Sequence, residues 1–193
     1  MRKAPRQARS RATVEAVVAA GTRILANDGW SGFNTNKVAE VAGVSIGSLY
    51  QYFPDKLSLV DAIRQRHLDD CLAVMRRLQP QGSSATVFVE NLVDSLIEAH
   101  GIHPGIHRIL LDEAPSHDRF RDPTSDFEME YLSHFRRAVK AFRSENTDAI
   151  ETMTQIVSDA LDGVIHNAAR RGTLASPQVR QELVRLLSRY LEP

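Results

Sequence analysis

One cysteine in 193 residues, Cys71, excludes an intrachain disulfide and any zinc cluster built on cysteines. No stretch approaches the ~20 apolar residues of a transmembrane helix, and the N-terminus lacks the apolar core of a signal peptide. A soluble, cytoplasmic protein without a membrane partner is therefore expected. No segment alternates apolar and polar residues with β-branched side chains over a strand's length, and no internal repeat or low-complexity tract is present. No nucleophile elbow and no glycine-rich phosphate loop appears, so nothing in the chain calls for an enzyme or a cofactor.

What the sequence does have is helical periodicity and an uneven distribution of charge. With 42% hydrophobic and 25% charged residues, the chain can build a core in one or two domains. The formal net charge is zero, yet up to Lys56 there are eight Lys or Arg against four Asp or Glu, and from Leu57 onward sixteen against twenty. The front is the nucleic-acid end. Arg2, Lys3, Arg6, Arg9 and Arg11 precede any acidic residue, with Pro5 discouraging helix at the start. Two readings of this arm are open: a minor-groove contact or a solubilising tail.

The densest signal is Thr35 to Lys56, TNKVAEVAGVSIGSLYQYFPDK. Thr35 is placed to cap a first helix with Val38, Ala39, Val41 and Ala42 on one apolar side. Gly43 stops that helix where the chain must enter the left-handed region. Val44 fills the corner, Ser45 is placed to cap a second helix, and Leu49 faces back toward Val38, Ala42 and Val44. Ala39, Gly43 and Leu49 thus fall at the offsets a helix-turn-helix needs for a small crossing residue, a turn glycine and a core contact. The competing reading is an ordinary αα-hairpin with a solvated face. The outer face favours DNA: no charge lies between Glu40 and Asp55, while two tyrosines, a glutamine and a serine look outward. Such groups hydrogen-bond to phosphates and base edges.

The run from about Ser10 to Leu59, above all GVSIGSLYQYFPDK preceded by TNKVAEVA, resembles the N-terminal domain of the tetracycline-repressor (TetR) family of one-component regulators. The resemblance covers about fifty of the 193 residues. It implies an all-α protein: an N-terminal three-helix domain with a helix-turn-helix at 1–54, then a larger helical effector-binding and dimerisation domain at 55–193. By position it implies a reading helix from Ser45 to Tyr52, with Thr35 and Lys56 as phosphate anchors and Tyr50 as an aromatic contact. Ile46, Gly47, Ser48 and Gln51 then choose sequence. With Asn36, Lys37 and Tyr52 they complete the expected contacts to double-stranded DNA. The implied function is transcriptional regulation by a homodimer, mostly repression at a pseudopalindromic operator, with release by a small-molecule effector acting through a lever helix from Asp55 to Leu78.

Beyond the motif, helical spacing predicts helices at Ser10–Asp28, ended by Gly29, and at Asp55–Leu78, Ala85–His100, Pro104–Glu113 and Phe127–Arg143. A further helix, capped by Thr147, runs to about Arg171, and a last one ends near Leu191. The final pair carries more apolar residues than one small core requires, which nominates Val157, Leu161, Val164, Ile165, Ala168, Leu183, Leu187 and Tyr190 as a four-helix dimer interface, with Gly163 allowing close approach. Packing within one chain is the competing reading. For an apolar or aromatic effector, the inward faces of the middle helices offer His67, Cys71, Met75, Phe88, Leu92, Tyr131, Phe135 and Asn167. Cys71 reads chiefly as a packed thiol. His100, His103 and His107, near Asp112 and Glu113, have metal-ligand spacing, but Gly101, Pro104 and Gly105 break the helix among them. An all-helical metal-binding enzyme or sensor using these histidines is the alternative function, and no metal is expected in the regulator reading.

Overall fold

The computed structural model describes residues 8–101, 106, 109–115, 124–144 and 146–192. Arg2, Lys3, Arg6, His103, Pro104 and His107 lie outside the described residues, as does the side chain of Asp112. Every regular element among the described residues is helical. They are α1 (Ala8–Gly32), α2 (Thr35–Val41), α3 (Ile46–Tyr52), α4 (Lys56–Arg77), α5 (Ala85–Gly101), a π-helical turn (Ile109–Glu113), α6 (Asp126–Phe142), α7 (Thr147–Arg170) and α8 (Pro177–Leu191). None of these helices is long and apolar enough to cross a membrane. Arg9 and Arg11, expected in an arm, belong to the first turns of α1 and are exposed. Gly29 has φ 70°, so the helical path breaks where the glycine was expected to stop it.

Contacts divide the chain into two compact units, 1–67 with 105–120, and 68–104 with 121–193. This differs from a division at residue 54. The opening turns of α4 bury Leu59, Val60 and Ile63 in the first unit's core, and the π turn returns to the same core through Ile109 and Leu110. Arg64, itself buried, donates from Nη2 to the carbonyls of Leu110 and Ala114 at 3.2 and 3.4 Å. Those carbonyls close the π turn, whose Ala114 N–H reaches Ile109 O at 2.7 Å. The expected α-helix from Pro104 to Glu113 is therefore a shorter, wider turn in its described part. A guanidinium holding its end compensates the poorer backbone geometry.

In the second unit, α5 packs on α8 and α6 on α7 around Phe88, Leu92, Phe135, Val157, Leu161, Ile165, Leu183 and Leu187. Helix starts are set by short polar side chains. Ser125, Asn146 and Ser176 accept from the N–H groups of Glu128, Ala149 and Val179. Asn146, not Thr147, is thus the cap of α7. The asparagine, in extended backbone, outcompetes a β-branched threonine that serves equally well as the first helical residue. Among the described residues, Arg76–Glu130, Arg136–Glu151 and Arg180–Asp94 form ion pairs between helices on the outside of this unit.

The residues nominated for dimerisation occupy another place than expected. Val157, Leu161, Ile165, Ala168, Leu183 and Leu187 are buried in the second unit's own core, while Val164 and Tyr190 are half-buried at its edge. An apolar stripe meets whatever core lies nearest, and here one chain supplies it. The outward apolar side chains on these helices are instead Ile156, 45% exposed, and Leu186, 54% exposed.

Candidate nucleic-acid interface

The first unit builds a short helix whose inner side is buried and whose outer side is exposed. Gly43 adopts φ +67°, its N–H donates to Glu40 O, and Val44 N–H donates to Ala39 O, both at 3.0 Å. That closes α2 and turns the chain. Ser45, with φ −70° and ψ 149°, places Oγ 3.1 Å from the N–H of Ser48 and starts α3. Leu49 and then Phe53 are fully buried against Val38, Ala39 and Leu59. A helix of seven residues has little stability of its own, so these two anchors and the cap hold it in place.

Around this base, α2 is capped one residue earlier than the sequence suggested. Asn34, in extended backbone, accepts from Asn36 N–H at 2.8 Å. Thr35, the expected cap, is buried, and its hydroxyl lies 3.0 Å from the Tyr50 hydroxyl. That bond ties α2 to α3 across the turn. Val41, expected on the apolar side, is 43% exposed, while Val38 and Ala39 face the core and Ala42 packs partly against it.

The outer face comprises Asn36 and Lys37 of α2 and, on α3, Ile46, Gly47, Tyr50 and Gln51, all exposed; Ser45 at its start is exposed too. Ser48 is half-buried, its hydroxyl 2.8 Å from that of Ser45. Tyr52 is half-buried against the core, so only part of it faces outward. Gly47 has no steric duty inside the fold: a Cβ there would meet only Ser45 Oγ, at 3.9 Å.

Lys56 occupies a position that sequence reasoning did not foresee. Its ammonium donates to the carbonyl of Trp30 at 3.0 Å and sits 3.6 Å from the Trp30 ring centroid, with Phe33 stacked beside the indole. Partial burial holds its pKa below the ordinary lysine value. Lys37 pairs with Asp28 on the same surface. Trp30 and Phe33 carried no signal for this role in the linear sequence, since they lie 26 and 23 residues from the lysine they hold.

The effector candidates are distributed as follows. Met75, Phe88, Leu92, Tyr131 and Phe135 lie together in the second unit's core, and the Tyr131 hydroxyl donates to Asp162 at 2.7 Å. Asn167 is half-buried and donates to Gly163 O on its own helix at 2.6 Å, so its amide is engaged locally and not turned inward. Cys71 is buried, and His67 stands half-buried one helical turn before it.

Comparison with known proteins matches residues 84–191 to the family model described as tetracyclin repressor-like, C-terminal domain, and residues 17–63 to the one described as bacterial regulatory proteins, tetR family. This chain belongs to the TetR family. Among curated relatives, a nucleoid occlusion factor SlmA from Actinobacillus pleuropneumoniae is 29% identical over 87 residues, 45% of this chain and 43% of that protein. The HTH-type transcriptional repressor KstR2 of Rhodococcus jostii is 33% identical over 76 residues, 39% of this chain and 37% of that one. The chain thus aligns with well under half the length of these relatives. Among solved structures, a tetR-family regulatory protein from Rhodococcus RHA1 shares the fold with a TM-score of 0.69 at 19% identity, covering 93% of this chain and 97% of that one. A TetR variant from Acinetobacter baumannii in complex with minocycline gives 0.61 at 18% identity, over 92% and 93%. This TetR-family chain accordingly combines the family's N-terminal helix-turn-helix region with its C-terminal helical domain.

Proposed function

We propose that this TetR regulator binds a pseudopalindromic operator as a homodimer, with α3 of each copy in the major groove, and represses until a small molecule in the second unit releases it. The observation that carries the reading is the outer face of α3. Ile46, Gly47, Tyr50 and Gln51 stand exposed and uncharged on a helix anchored by Leu49 and Phe53. Gly47, with room for a Cβ, suits close approach of the backbone to phosphate or sugar. Gln51 reads a base edge, Ile46 meets thymine methyls, and Tyr50, steadied by Thr35, contacts the backbone. Thr35, Asn36, Lys37, Ser45, Ser48 and Tyr52 frame that contact. An ammonium has three hydrogens and Trp30 O takes one, which leaves Lys56 donors for a phosphate.

Two copies meet through the outward stripe of α7 and α8, Ile156, Val164, Leu186 and Tyr190, with Gly163 exposed among them. Half-sites then repeat at about one helical turn, ~34 Å, or a multiple of it. The effector is mainly apolar, taken among Phe88, Leu92, Phe135 and Tyr131, and it shifts the equilibrium by its differential affinity for the two states of the dimer. A gel shift on DNA upstream of the chain's own and neighbouring genes tests the reading. Specific retardation that disappears in Tyr50→Ala, with the helical circular dichroism intact, supports it. Equal retention of random DNA and upstream DNA contradicts it.

A further inference from the structure

Two lysines of the first unit belong to the expected DNA contacts, and the fold holds them in different ways. Lys37 is exposed and pairs with the carboxylate of Asp28, so part of its charge is cancelled before any ligand arrives. Lys56, half-buried at the first position of α4, is held by neutral groups. The carbonyl of Trp30 accepts from Nζ at 3.0 Å, and the indole of the same residue has its centroid 3.6 Å from that nitrogen. The centroid of Phe33 lies 5.6 Å from it. Among the described residues, no carboxylate pairs with this ammonium.

The seat is built at a break in α1. Gly29, with φ 70° and ψ −177°, interrupts the helical path just before Trp30. The Trp30 carbonyl accepts a long bond from Phe33 N–H, at 3.4 Å, and its second lone pair takes the lysine. Phe33, 3% exposed, stacks along the indole with planes 18° from parallel and so fixes the orientation of the ring. Among aromatic faces the indole attracts a cation best, through its quadrupole. A lysine's four-carbon stem is otherwise mobile, and ordering it on a ligand opposes binding. Here the fold orders the stem in advance and adds no counter-charge.

We propose that Trp30 is a positioning residue for DNA binding, its ring face and carbonyl holding the Lys56 ammonium so that the remaining N–H groups are presented to one phosphate of the duplex. The role rests on the proposed DNA binding and reaches beyond it to a residue of α1 outside the helix-turn-helix. A phosphate contact carries no sequence information. Trp30 therefore sets affinity for any duplex and leaves base preference unchanged.

The full chain is titrated by fluorescence anisotropy against two labelled duplexes, one from upstream of its own gene and one of random sequence, over a series of salt concentrations. Lys56→Ala should weaken binding to both and lower the slope of log affinity against log salt by about one unit. Trp30→Leu should weaken both by about 3- to 10-fold, and Trp30→Phe, which keeps a ring face, by less. Added to Lys56→Ala, Trp30→Leu should cause no further loss, because its effect passes through the lysine. In the free protein, proton NMR should find the Lys56 ε-methylene shifted upfield by the indole ring current. That shift and the Trp30→Phe titration supply readouts that do not depend on Trp30→Leu folding. Wild-type affinity in Trp30→Leu, a Trp30→Leu loss that persists in the Lys56→Ala background, an unshifted ε-methylene, or an unchanged salt slope in Lys56→Ala would each overturn the proposal. Failure of operator recognition is read separately, as equal affinity of the wild-type chain for the two duplexes, and the random duplex still decides the role of Trp30.

Discussion

The two units of this TetR chain treat their apolar side chains in opposite ways. In the first, the short helices α2 and α3 spend few apolar residues inward, Val38, Ala39 and Leu49, and leave hydrogen-bonding groups outside. In the second, α7 and α8 are apolar on more than one side, so the inner stripe completes a core while Ile156 and Leu186 remain outside. Recognition of DNA needs a rigid base and a polar face, whereas recognition of a second copy needs apolar residues beyond those the core consumes. Under the proposed function, the same distinction between inner and outer positions separates stability from recognition in both units.

The comparison is sharpened most strongly by truncating inner and outer leucines of the same helix. Leu183→Ala, at a position 2% exposed, should cost about 2 to 5 kcal/mol of unfolding free energy, read from urea denaturation of the dilute chain. Leu186→Glu should leave that stability nearly unchanged and weaken self-association by about 2 kcal/mol or more, read by sedimentation equilibrium. If the two variants exchange these effects, the assignment of inside and outside is wrong. Gln51→Ala should relax base preference at one position of each half-site by about 1 to 3 kcal/mol, while uniform weakening over all sequences would speak against direct readout. Ser45→Ala should destabilise the first unit by about 1 kcal/mol through loss of the cap, and thermal unfolding would show it.

A smaller effect concerns pH in the second unit. The Arg180 guanidinium, hydrogen-bonded to Asp94, holds that carboxyl below the usual carboxylate range. A depressed acid contributes stability above its unfolded pKa and loses that contribution as pH falls through the folded one. Asp94→Asn should therefore flatten the acid side of the stability profile slightly, and less at high salt because the pair is half-exposed. A profile that steepens instead would contradict the pairing.

How far the sequence could be read follows the same division. Gly43, Ser45 and Leu49 were legible because each answers a local backbone or packing demand that few residue types meet. The caps at Asn34 and Asn146 were misplaced by one residue, since asparagine and threonine compete for adjacent positions. The Trp30–Lys56 contact, the π turn held by Arg64 and the separation of Leu183 from Leu186 depend on segments distant in sequence. Periodicity marks a stripe as apolar without saying what covers it. Cys71, read as a packed thiol from its apolar stripe, is buried.

The central claim is that α3 reads duplex DNA from two symmetric copies, and its most direct test is selection of genomic fragments by the purified full-length chain followed by sequencing. The account predicts enrichment of one inverted repeat whose half-sites are spaced by about one helical turn or a multiple, ~34 Å in the simplest case, and no enrichment with Tyr50→Ala. Recovery of fragments in the same proportions as the input library would contradict it.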